Sequence, residues 1–273
     1  MKILFMLTVA LSVTTCEVAD IPGMFLSDET VNQRFQQSME WNALHPFREI
    51  TVDTDHYLLL SMGDSHVGGT NNLDSLFSVA MELDAGAVVM VGDLTTGHSE
   101  DVDVLEQHLP HTDSMPLFLM VGNHDLYFDG WPEYYSRFGS STYLFTIRTP
   151  AATDLYICLD TGGGTMGNLQ LDWLRDILET RSDYRRCVLF THNNLFRFRR
   201  TASTNPNVEE LMVLLELFSE HQVDMVVTGH DHEHFAQQFG NTTHIVMDAL
   251  KDGLGNAGYF QLNVTGGEMT YRF

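Results

Sequence analysis

Positive charge is scarce in this sequence. Its 273 residues carry 14 Lys and Arg against 37 Asp and Glu, a formal charge of −23. Such a surface repels phosphate polymers, which argues against broad nucleic-acid binding. Cysteine is also scarce, with three residues in all. That excludes a disulfide-built scaffold, and Cys158 and Cys187, each inside an apolar run, read as buried core thiols. No apolar run approaches the ~20 residues that cross a bilayer. The longest at the N-terminus, residues 3–13 behind Lys2, suits the apolar region of a secretory signal.

That run ends at Cys16, after "SVTT". The arrangement resembles the lipobox of bacterial lipoproteins, although Thr15 stands where that pattern usually has a smaller residue. The expectation is an exported chain: residues 1–16 a signal, with membrane attachment through a lipidated Cys16 or release after ordinary cleavage. The localisation would then be periplasmic, at the cell surface as a lipoprotein, or secreted. Residues 17–50 read as a lead with one helix, capped by Ser27 and carrying Val31, Phe35 and Met39 on one face. Residues 51–273 read as a single domain.

With 44% apolar residues the chain can bury a large core. Buried strands are predicted at 57–61, 87–91, 117–121, 187–191 and 225–228. Helices are predicted at 72–83 (Leu73, Leu76, Phe77, Ala80), 168–179 (Leu169, Trp173, Ile177, Leu178) and 207–221 (Leu211, Leu214, Leu215, Phe218). Antiparallel pairs are predicted for 143–148 with 155–161 and, across Gly266-Gly267, for 259–264 with 269–273. This is a mixed α/β pattern.

Each of the five buried strands runs into a polar cluster. "GDSH" follows the first, with Asp64 and His66, and "GD" the second, with Asp93. "GNHD" follows the third, with Asn123, His124 and Asp125. His192 ends the fourth, and "GHDHEH" ends the fifth with His230, His232 and His234. Strand carboxyl ends in an open α/β sheet face one crevice, so five such clusters would converge. Asp, His and Asn donors suit a divalent transition ion such as Mn, Fe, Zn or Ni. Asp64, His66, Asp93, Asn123, His192, His230 and His232 supply seven donors, which exceed what one ion needs and fit two ions sharing a carboxylate, the arrangement used for phosphoryl transfer. Two residues apart on an extended segment, His230 and His232 would both reach such a pair.

In order and spacing, "GDSH", "GDLTTG", "GNHD", "TH" and "GHDH" resemble the calcineurin-like metallophosphoesterase superfamily, over residues 63–232. The resemblance implies a four-layer αββα sandwich. It also implies hydrolysis of a small phosphate ester, monoester or diester, by water activated at two metal ions. By motif position, Asp64, His66 and His232 would hold one ion, Asn123, His192 and His230 the other, and Asp93 would bridge. His124 would protonate the leaving group or steady the transition state. His234 lies one step beyond the motif and reads as a bystander. His98, His108, His111, His221 and His244 match no motif.

Two positions depart from the pattern. Thr96 stands where several members have an acid that orients the catalytic histidine, which leaves Asp125 as a candidate for that task. "HNN" at 192–194 replaces the usual "H-x-P". Behind it lie Arg197, Arg199 and Arg200, and guanidinium pairs well with phosphate, so these could receive a substrate anion. The alternatives are a diesterase specific for cyclic nucleotides and a metal-binding surface protein without catalysis.

Overall fold

The computed structural model describes residues 27–45, 48–111, 114–196 and 208–273. Cys16 and Arg197, Arg199 and Arg200 lie outside these residues, as does the expected signal.

Two sheets stack face to face. The first has seven strands: β1 (Arg48–Thr51), β5 (Tyr143–Arg148), β6 (Thr153–Leu159), β7 (Cys187–Thr191), β8 (Met225–Thr228), β10 (Thr242–Val246) and β9 (Phe235–Phe239), adjacent in that order. The second has five: β12 (Glu268–Arg272), β11 (Phe260–Thr265), β2 (His56–Met62), β3 (Ala87–Val91) and β4 (Leu117–Met120). Alternate residues of both sheets meet between them, among them Leu59, Val89, Met120, Phe145, Phe190, Val227 and Phe260.

Helices cover the outer faces. α2 (Asn71–Glu82) buries Leu73, Leu76, Phe77 and Ala80 against the five-stranded sheet, joined by Leu105 of α3 (Ser99–His108). α5 (Asn168–Leu178) and α6 (Val208–Glu220) cover the seven-stranded sheet with Leu174, Leu178, Leu214, Leu217 and Phe218. The result is the helix–sheet–sheet–helix sandwich. α1 (Val31–Leu44) packs on α5 and β5. α4 (Trp131–Phe138) follows the loop after β4.

Several local expectations are corrected. Thr30, not Ser27, caps α1, in a capping box with Gln33. Its buried face includes Arg34, which pairs with Asp160 at 2.7 Å. In α5 it is Gln170 that points inward, holding the Asp160 backbone from both sides. α3, α4, β1, β9 and β10 were not expected; α3 is rich in acid and β9 ("FAQQF") in amide. Cys158 and Cys187 are buried and free. They face opposite sides of their sheet, Cys158 the inter-sheet core and Cys187 the helices. The β11–β12 turn is as expected: Gly266 and Gly267 both take left-handed φ, 57° and 84°, as a two-residue primed turn requires.

The five strands that carry the polar clusters do not form one sheet. β2, β3 and β4 run parallel in one, and β7 and β8 run parallel in the other. Their carboxyl ends converge because the two sheets are stacked. A bridge between Gly63 and Ala249 and a hydrogen bond from Gly229 to the His192 carbonyl draw these loops together.

Candidate metal centre

Glycine precedes Asp64, Asp93, Asn123 and His230, and at Gly92, Gly122 and Gly229 its reason is space. A Cβ on Gly122 would fall 2.2 Å from Asp93 Oδ1, and one on Gly229 would fall 2.5 Å from Asp64 Oδ2. At these three positions the strand ends pass too close for any side chain. The backbone then turns sharply. Asp64, His66, Asp93, His230 and His232 all adopt positive φ, between 41° and 74°. Such conformations cost of order 1–3 kcal/mol each and persist where the surroundings enforce them, most often at functional sites. His230 and His232 therefore sit on a tight loop rather than the extended segment expected from the sequence.

The turns aim seven side chains at one place. His232 Nε2 lies 3.1 Å from Asp64 Oδ1 and 3.4 Å from His66 Nε2. His192 Nε2 lies 3.1 Å from His230 Nδ1 and 3.3 Å from both Asn123 Oδ1 and Asp93 Oδ2. Asp64, His66 and His232 make one compact group of donor atoms, and Asp93, His192 and His230 another. Asp93 also joins His66 and His124 in a third. Asp93 Oδ2 is the common point: 3.3 Å from His192, 3.8 Å from His66 and 4.0 Å from His124.

Each carboxylate divides its work. Asp93 Oδ1 accepts the His124 N–H at 2.7 Å, and Asp64 Oδ2 accepts the His230 N–H at 2.8 Å. The second oxygen of each is left facing the centre. His192 Nδ1 donates to the Val91 carbonyl at 2.8 Å, because a carbonyl can only accept. In the neutral ring, Nε2 then presents its lone pair inward, the usual way a ligating histidine is held. Two imidazole nitrogens 3.1 Å apart, ringed by carboxylate and amide oxygens, are a donor set suited to a divalent ion.

Burial sharpens the electrostatics. Asp64, Asp93 and His192 are at most 1% exposed. For His192, burial disfavours the charged ring, but Asp93, Asp64 and the Val91 carbonyl together outweigh it and push the pKa up to about 10. Burial opposes charge on Asp93 too, yet His192 holds it below the usual carboxylate range. His66 goes the other way, lowered to about 4, because its burial outweighs both neighbouring carboxylates.

His124 is different. Its side chain is 38% exposed, and its ring meets His66 edge-on at 4.4 Å and Tyr127 at 4.7 Å. Asp125 does not orient that ring. Its carboxylate is filled by the N–H groups of Leu94, Thr95 and Gly122 and the Thr95 hydroxyl. It ties the β3 loop to the β4 loop. Burial, then the charge of Asp93, raises its pKa to about 6. Thr96 hydrogen-bonds Asp101 of α3. In the "HNN" loop, Asn194 donates to Asp231 at 2.8 Å, linking the loop of His192 to that of His230 and His232. His234 pairs with Asp248 at 2.5 Å and stacks on Phe273, outside the donor groups.

A family model described as calcineurin-like phosphoesterase matches residues 57–234, and the chain belongs to that family. No curated protein matches it. Among solved structures, a dimetal phosphatase from Danio rerio shares 14% identity at a TM-score of 0.63, over 79% of this chain and 95% of that one. Purple acid phosphatase PPD1 from yellow lupin (Lupinus luteus) seeds shares 15% identity at 0.62, over 81% of this chain and 52% of that one. GAP50 of Plasmodium, described as the anchor in the inner membrane complex, shares 12% identity at 0.61, over 81% and 84%. At these identities the likeness is one of fold. Family and donor groups together support metal-dependent hydrolysis of phosphoesters.

Proposed function

We propose that this chain hydrolyses a small phosphate ester with two divalent transition ions, Mn, Fe, Zn or Ni. Asp64, His66 and His232 would hold one, Asn123, His192 and His230 the other, and Asp93 would be shared. The position of Asp93 Oδ2, in reach of His66 on one side and His192 on the other, carries this reading. Such ions, when bound, supply charge neutralisation and an activated water.

The protein's own residues do the rest. Asp64, Asp93 and His192 are buried beneath the mouth, where bulk water cannot weaken their interactions. His124 stands at the mouth, its backbone fixed on Asp93 and its ring braced between His66 and Tyr127. From there Nε2 can deliver a proton to the departing ester oxygen. A non-catalytic role, such as the anchor named for GAP50, is the alternative, and the complete donor set with an open His124 favours catalysis.

Export, with attachment at a lipidated Cys16 or release, belongs to this proposal and rests on residues 1–16 of the sequence. So does a role for Arg197, Arg199 and Arg200 in receiving a second anionic group. The test is a panel of p-nitrophenyl phosphate, its bis ester and cyclic AMP, offered to protein stripped of metal and reloaded with each ion. Metal-dependent turnover of at least one ester is expected. No turnover with any ion would overturn the hydrolase reading, and the pattern among esters separates monoesterase from diesterase.

A further inference from the structure

A continuous file of rings leads outward from the donor groups. His66 meets His124 at 4.4 Å, His124 meets Tyr127 at 4.7 Å, and Tyr127 meets Phe128 edge-on at 6.5 Å. Phe128 stacks on His98 at 4.2 Å, their planes within 17°. Exposure rises along the file, from 7% at His66 to 53% at Phe128, and His98 is exposed as well.

The outer pair stands on a strained and closely packed backbone. Phe128 and Asp129 are consecutive non-glycine residues with φ of 56° and 58°. For a bulky residue this is a genuine outlier. Beside it, the loop carrying His98 is pressed against the loop carrying Phe128. A Cβ on Gly97 would fall 2.4 Å from the Tyr127 carbonyl oxygen and 2.7 Å from that of His124. Asp125 and Thr95 lock the same two loops from below. A phenyl ring left in water on a strained backbone is costly twice over, in burial forgone and in conformation. Both costs are met at the side of the cluster where His124 stands open.

We propose that Phe128 and His98 form the subsite for a planar ring in the leaving group of the ester, either a nucleobase or an aryl ring. This rests on the hydrolase reading above. The ring would lie against the Phe128–His98 face while the phosphate sits at the donor groups and His124 serves the bond between them.

The test compares Phe128→Ala and Phe128→Leu with the parent, each loaded with Mn. Substrates are adenosine 5′-monophosphate, phenyl phosphate and glycerol phosphate. Loss of a stacking partner costs on the order of tenfold. Phe128→Ala should lower kcat/KM for a ring-bearing ester by about that factor relative to glycerol phosphate. Phe128→Leu, apolar but without a ring, should recover only part. A loss confined to the nucleotide assigns the subsite to a nucleobase, and one confined to phenyl phosphate assigns it to an aryl ring. Equal changes for all three esters would overturn the proposal. Binding of benzylphosphonate against methylphosphonate, neither of which is hydrolysed, judges the ring pair separately. An inactive parent whose preference for benzylphosphonate vanishes in Phe128→Ala would sink the hydrolase reading but not the subsite. No preference in the parent, together with no selective loss for adenosine 5′-monophosphate in Phe128→Ala, would sink the subsite alone.

Discussion

Asp93 accepts the backbone N–H of His124 with one carboxylate oxygen, at 2.7 Å, and faces His192, His66 and His124 with the other. One side chain therefore fixes the loop of the proposed acid and supplies the proposed bridge. Asp93→Asn separates these tasks. The amide oxygen can still accept the His124 N–H, so the fold should survive. The amide nitrogen cannot bridge two cations. The expected outcome is a normally folded protein with turnover abolished and metal content reduced from two ions toward one or none, measured by elemental analysis. Full metal and normal activity would contradict the bridge.

His124→Ala should keep both ions and slow hydrolysis by ~10²–10⁴, the usual contribution of a positioned acid. The loss should shrink for nitrophenolate, a leaving group that needs little protonation. His124 lies close enough to Asp93 and His66 to be mistaken for a ligand. Metal content decides, and a variant that loses an ion makes His124 a ligand.

Asp125→Ala would leave the N–H groups of Leu94, Thr95 and Gly122 buried without their acceptor. We expect a loss of at least about 3 kcal/mol in denaturant unfolding, from three groups stranded at ~1–3 kcal/mol each. Asp125→Asn should also destabilise, because N–H donors approach both carboxylate oxygens and an amide in either orientation would set its own donors against at least one of them. A loss below about 0.5 kcal/mol for both variants would show that the two loops hold without this tie.

His244 supplies a pH dependence away from the site. Its ring packs among Phe196, Phe239 and Phe218, Nε2 has no hydrogen-bond partner among the described residues, and burial lowers its pKa from 6.5 to about 4. The folded state thus keeps the ring neutral where the unfolded chain takes up a proton. Its contribution to stability is full above pH ~6.5 and is lost as pH falls toward 4. His244→Phe removes this dependence, so the variant's margin over the parent should widen steadily in melts from pH 7 to pH 5. A margin that stays constant would place the His244 titration elsewhere.

Much of the centre was legible because its residues are bound to local pattern. A strand, then glycine, then Asp or His, is a covalent sequence, although the steric reason for Gly122 and Gly229 lies in the distant Asp93 and Asp64. The partners of those residues were not legible. Asp125 adjoins His124 in the chain, yet its carboxylate turns away to Leu94 and Thr95, thirty residues back. Arg34 sits among apolar positions of an expected amphipathic helix, and Asp160, brought up by β6, the Glu29 carbonyl and the Trp131 ring explain its burial. The division of five similar strands between two sheets depends on pairing partners, and β9, with two glutamines in five residues, has too little apolar signal to announce a strand. The left-handed Phe128 has no sequence signature, since bulky residues are rarely found in that conformation.

The central claim is a pair of ions sharing Asp93. Its most direct test is anomalous scattering from crystals of the Mn-loaded protein. The account predicts two peaks ~3.5–4 Å apart, flanking Asp93 Oδ2, one in contact with Asp64, His66 and His232 and the other with Asn123, His192 and His230. A single peak, or none among these seven side chains, would contradict it.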